Sequence, residues 1–177
     1  MNRRTVIKNF LVFSAGAALI PSCLHEKSKA SILLKNIKVS GDQEKMLAEL
    51  AETIIPKTNT PGAKDISSHL FVLMMVDDCY ATEDQQKFIK GMEQFDAFAK
   101  KNSGESFLKA TTAQKNALLK KIESKKDVPE EVAAFYAMTR RLTIQSFTSS
   151  KYFLTNIQVY ELIPGRFHGC VPVKNNS

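Results

Sequence analysis

The chain has 177 residues, 44% of them hydrophobic, which suits one domain with a real core and excludes wholesale disorder. Its formal charge is +7, but Arg3, Arg4 and Lys8 lie in a leader, so residues 23–177 carry only +4. That modest excess, interleaved with Glu and Ser in KKIESKK (120–126) and lacking an aromatic platform, excludes nucleic acid as a partner.

The first element is the leader. NRRTVIK (2–8) sets Arg3 and Arg4 ahead of a spacer, two apolar residues and a lysine. This is the pattern of a twin-arginine export signal, with Asn2, Val6 and Ile7 as flanking variants. NFLVFSAGAALI (9–20) is too short for a comfortable membrane span, which needs ~20 residues. Behind a basic start, it is the middle region of a signal peptide. The run stops at Ile20-Pro21-Ser22-Cys23, an aliphatic residue, two small or turn-forming residues and a cysteine, as in a bacterial lipobox. Residues 1–22 are therefore expected to be a signal peptide, Cys23 the lipidated mature N-terminus, and 23–40 a tether. Such an anchor holds a protein on a membrane surface without spanning it. The alternative at Cys23 is a free cysteine beside an ordinary cleavage site. Either way the expected compartment is the periplasm or cell envelope.

Residues 41–177 read as a helical domain. In DQEKMLAELAETIIP, Met46, Leu47, Leu50, Ala51 and Ile54 recur at helical spacing, Pro56 stops the helix, and KTNTPGAKD supplies turn residues. A second helix over about 65–80 contains LFVLMMV, apolar all round, which predicts burial on most sides. A third, about 83–101, aligns Phe88, Met92, Phe95 and Ala99 in one stripe and breaks at Ser103-Gly104. Thr111 and Gln114 have capping-box spacing ahead of a fourth helix through Leu118, Leu119 and Ile122. A fifth begins near Pro129, with Glu130 and Glu131 in its first turn and Val132, Phe135, Tyr136 and Leu142 along it. The last segment, from Ser150, starts helical and ends as an extended Pro/Gly-rich tail. With no repeat and no long alternating pattern, the predicted fold is all-α, five to six helices plus that tail.

Catalytic signatures are missing: there is no GxSxG, HExxH, phosphate loop or GxGxxG. Asp77 and Asp78 are adjacent, so on a helix they diverge by ~100° and make a poor acid/base pair; they are expected to end a buried helix near solvent. His69 reads as a packed or surface residue, and Met74-Met75 as core filling. An enzyme in its own right would have to use His69, Asp77 or Asp78. A zinc or haem site lacks CxxC and CxxCH, and His168 beside Cys170 is a weak metal signal.

Export would place Cys79 and Cys170 in an oxidising compartment, where a bridge between them is expected. It would close a loop of 91 residues (170 minus 79) and stabilise by roughly 4 kcal/mol on the chain-entropy model. Spacing does not show that the two sulfurs meet. In the tail, IPGRFHGC sets a turn at Pro164-Gly165 and frees the backbone at Gly169. It reads as a strap pinned by the disulfide, and also as an ordered element offering Arg166 and Phe167 to a partner.

LAETIIPKTNTPGAKD (50–65), the apolar helix ending DDCY (77–80) and FTSSKYFLTNIQVYELIPGRFHGCVP (147–172) together resemble the gluconate 2-dehydrogenase subunit 3 family. The resemblance covers nearly all of the mature chain. It implies a non-catalytic small subunit with no cofactor of its own, held in a periplasmic complex. A large flavoprotein of the glucose-methanol-choline type binds FAD there and oxidises a sugar or sugar acid. In many such complexes a cytochrome c subunit carrying haem c takes the electrons. The small subunit supplies the twin-arginine signal to the translocase, carries the folded flavoprotein across and stabilises it. The lipobox at Cys23 departs from members with an ordinary cleavage site and puts in question the need for a separate cytochrome anchor. The competing expectation is a free-standing envelope lipoprotein that binds a ligand or protein partner.

Overall fold

The computed structural model describes residues 30–158, 165, 169 and 170. The chain forms α1 (Gly41–Ile54), α2 (Ser68–Cys79), α3 (Thr82–Ser103), α4 (Thr112–Ser124) and α5 (Glu130–Thr148), followed by a π-helical turn (Phe153–Ile157). No strand occurs among the described residues, as the sequence predicts.

Local chemistry sets the helix ends. The Ser40 hydroxyl accepts from the Gln43 N–H at 3.3 Å, while the Gln43 side chain accepts from the Ser40 N–H at 2.9 Å. This capping box starts α1 one residue before the expected Asp42. The predicted box at α4 forms as well, with the Gln114 N–H donating to the Thr111 hydroxyl at 3.3 Å. Gly104 closes α3 in the left-handed region (φ 81°), a conformation that costs glycine little. Pro129 stands at the N-cap of α5, one position ahead of the first turn, and Glu130 and Glu131 follow it against the helix N-terminus.

Helix α5 is the central element: it packs most extensively on α3 and also touches α1, α2 and α4. The expected stripe of α3, Phe88, Met92, Phe95 and Ala99, is buried there. Phe88 and Phe95 meet Phe135 of α5 with ring centroids 5.0 and 5.5 Å apart, and Phe107 closes on Phe95 at 5.0 Å. Such tilted and edge-on contacts add to what burial of each ring contributes. The two helices approach so closely at Gly91 that a Cβ there would lie 2.1 Å from the Glu131 carbonyl oxygen.

The second helix departs from expectation. LFVLMMV is apolar all round, yet only Val72, Leu73 and Val76 of this run are buried, Met75 is half-buried and Met74 is 44% exposed. A helix at the margin of a small bundle has too few neighbours to cover every side. Met74 therefore does not fill the core.

Candidate functional site

Five carboxylates, Asp77, Glu44, Glu52, Asp65 and Glu49, tie the connecting segments to the helices. The first is Asp77, near the end of α2. Its side chain accepts from the backbone N–H groups of Lys35 (2.8 Å), Asn36 (2.7 Å) and Ile37 (2.9 Å), and its carbonyl oxygen accepts from the Asn36 side chain at 2.8 Å. Gln85 of α3 donates to the carbonyls of Val76 and Asp77. Burial pushes the Asp77 carboxyl upward in pKa, but the three N–H donors outweigh it and hold the group below its ordinary value. The segment before α1 is thus strapped across the end of α2. A second clamp acts further along the strap: the Glu44 carboxylate accepts from the Ser31 N–H at 2.7 Å and from its hydroxyl at 2.5 Å.

The loop joining α1 to α2 is built around Glu52. Its two carboxylate oxygens accept from the N–H groups of Lys57 and Lys64, both at 2.9 Å. Asp65 takes the Gly62 N–H at 3.0 Å and pairs with Lys57 at 3.1 Å. Those two donors, the Gly62 N–H foremost, hold the Asp65 carboxyl below its usual range. A Cβ at Gly62 would fall 2.5 Å from a Glu52 oxygen and 2.6 Å from the Lys57 nitrogen, so this TPG turn requires glycine. One helical turn before Glu52, Glu49 pairs with Lys115 of α4 at 2.6 Å and with Lys64 of the loop. Burial raises the Glu49 carboxyl, the two ammonium groups more than reverse it, and the net pKa is lowered. Lys115 also lies 5.5 Å over the Phe107 ring. Three elements are fixed together by one carboxylate.

The residues that an independent enzyme would need do not converge. Asp77 is 4% exposed and already saturated by backbone donors, which corrects its expected place near solvent; Asp78 beside it is exposed. His69 lies eight residues earlier on α2, about 12 Å along the axis. Its Nε2 is 3.9 Å from Glu44, its Nδ1 is buried without a partner, and burial lowers its pKa despite the carboxylate. Cys79 and Cys170 are both exposed and unbonded, so the expected bridge is not formed in this structure. Gly165 is exposed with open space around it. Arg3, Arg4, Cys23, Pro164, Arg166, Phe167 and His168 lie outside the described residues. Among the described residues, no group of three His, Cys, Asp or Glu could hold a metal, and no helix is long and apolar enough to cross a membrane.

The strap and both carboxylate hubs went unread in the sequence. A side chain that binds backbone 40 residues away leaves no periodic trace. Glu52 did carry a signal, since a glutamate one turn before a Pro-x-Thr-x-Thr-Pro-Gly loop faces several free N–H groups. Residues 41–165 match the family model described as Gluconate 2-dehydrogenase subunit 3. No curated protein and no solved structure matches the chain.

Proposed function

Since that match spans well over half of its length, the chain belongs to the gluconate 2-dehydrogenase subunit 3 family and is an accessory subunit of a dehydrogenase, and we propose that it is the non-catalytic escort of the FAD-binding subunit. In this reading the twin-arginine signal with Arg3 and Arg4 exports both proteins, the large flavoprotein having folded around FAD and docked beforehand. The small subunit then stays bound in the periplasm and stabilises its partner, which oxidises a sugar or sugar acid. Cys23 anchors the pair to the membrane through lipid, and a cytochrome c subunit carries the electrons onward.

The family match is the observation that carries this reading. The strap gives it physical support. Asp77 and Glu44 hold residues 31–37 against the helical body, so a load entering through a leader or an anchor would meet these clamps before α1.

Replacing Arg3-Arg4 with Lys-Lys tests the escort. The expected result is a folded, FAD-loaded dehydrogenase subunit stranded in the cytoplasm. Undiminished export of that subunit would overturn the reading. Cys23→Ala separately tests the anchor, moving the complex from the membrane fraction to the soluble periplasm.

A further inference from the structure

The escort reading requires a docking surface, and the surface between α4 and α5 has the make-up of one. An open groove of about 580 Å³ runs there. Ile122 and Tyr136 form its buried floor, and Ala137 and Ile144 extend it along α5 towards solvent, Ile144 remaining 41% exposed. Its rim is cationic. Lys125, Arg140 and Arg141 line it against a single acid, Glu123.

That acid is already committed. Glu123 accepts from the Tyr136 hydroxyl at 2.8 Å and pairs with Arg140 at 3.6 Å. Among the described residues, Arg141 bonds the Tyr80 hydroxyl and stacks over its ring at 5.6 Å. Two positive charges, on Lys125 and Arg141, thus face the groove without a carboxylate among the described residues. Lys125 is also held in the left-handed region (φ 55°), an unusual conformation for a residue other than glycine. It is the C-cap of α4 and fixes one wall of the groove.

We propose that this groove receives an acidic segment of the flavoprotein subunit, one apolar side chain of which seats against Ile144 and Ala137 while its carboxylates meet Lys125 and Arg141. Arginine is enriched at interfaces and among their hot spots, and the exposed Ile144 beside it offers apolar surface to bury. The larger groove beside the strap, about 680 Å³, is a poorer candidate because its lining mixes signs, Lys38 against Asp42, Glu93 and Asp96, and two of those acids are already paired, Asp42 with Lys45 and Asp96 with Lys100. The proposal rests on the escort reading.

The test is capture of the FAD-containing subunit by full-length, tagged chain expressed in its native host. Wild type is compared with Ile144→Asp, with the double variant Lys125→Glu/Arg141→Glu, and with Leu108→Asp on the other groove. The three changed surfaces are exposed, and circular-dichroism melts confirm folding. Ile144→Asp and the charge reversal are each expected to reduce captured flavoprotein at least tenfold, with Leu108→Asp matching wild type. Wild-type capture by both α4–α5 variants overturns the groove assignment and leaves the escort intact. Loss with Leu108→Asp alone places docking in the other groove and equally overturns it. Dissociation of a homodimer by Ile144→Asp, with flavoprotein still bound, shows a second copy as occupant and refutes the proposal. Failure of wild type to capture any flavoprotein overturns the escort reading itself.

Discussion

Removing the Asp77 carboxylate isolates the contribution of the strap. In Asp77→Ala the N–H groups of Lys35, Asn36 and Ile37 all lose their acceptor. Ile37 is buried, so its orphaned donor costs about 1–3 kcal/mol. Lys35 and Asn36 are exposed and recover water, losing about 0.5–1.5 kcal/mol each. The sum is roughly 2–6 kcal/mol, or a fall in Tm of ~4–24 °C at about 2–4 °C per kcal/mol for a domain of this size. Asp77→Asn keeps one oxygen for Asn36 and Ile37 and turns its amide on Lys35, so about 1 kcal/mol is expected. The pH dependence follows from the depressed carboxyl. A folded-state pKa below the unfolded one stabilises above the unfolded value of about 3.9, and that gain is lost as pH falls through the folded value. The gap between wild type and Asp77→Asn therefore closes below about pH 4. Urea and thermal melts from pH 3 to 7 measure this, and proteolysis reports cleavage at residues 30–39. A Tm for Asp77→Ala within 2 °C of wild type, with the strap still protected, would refute the reasoning.

Gly91→Ala gains up to about 1 kcal/mol of helix propensity but drives a methyl into the Glu131 carbonyl and Phe135. Net destabilisation of about 1–3 kcal/mol is expected from overpacking, and a rise in Tm would contradict the α3–α5 crossing. Gly62→Ala collides with Glu52 and the Lys57 nitrogen, so hydrogen exchange at Lys57 and Lys64 is expected to accelerate in that variant. For His69, burial holds the folded pKa below the unfolded 6.5, so the unfolded state binds the extra proton first. Stability is then level above pH 6.5 and declines as pH drops towards the folded value, and His69→Gln flattens that slope. A chemical-denaturation series across that window reads it directly.

The helices were legible because burial repeats with the helical period. The α3 stripe Phe88–Ala99 and the Thr111/Gln114 box could be placed by spacing alone. What the sequence concealed lies in contacts without period. LFVLMMV gives no indication of which side lacks a neighbour, so Met74 reads as core. Asp77 reads as a helix end because its three donors sit on a segment some 40 residues upstream. The groove between α4 and α5 is equally hidden: no spacing in the sequence brings Arg140 and Arg141 together with Ile144, Tyr136 and Lys125.

The central claim is that this chain is one half of a pair. Full-length protein extracted gently from the native host and purified under non-denaturing conditions tests it, with FAD released and quantified per chain. The account predicts a stoichiometric complex with an FAD-bearing dehydrogenase subunit that oxidises a sugar or sugar acid. A small helical protein purified alone, with no flavin at any step, would contradict it.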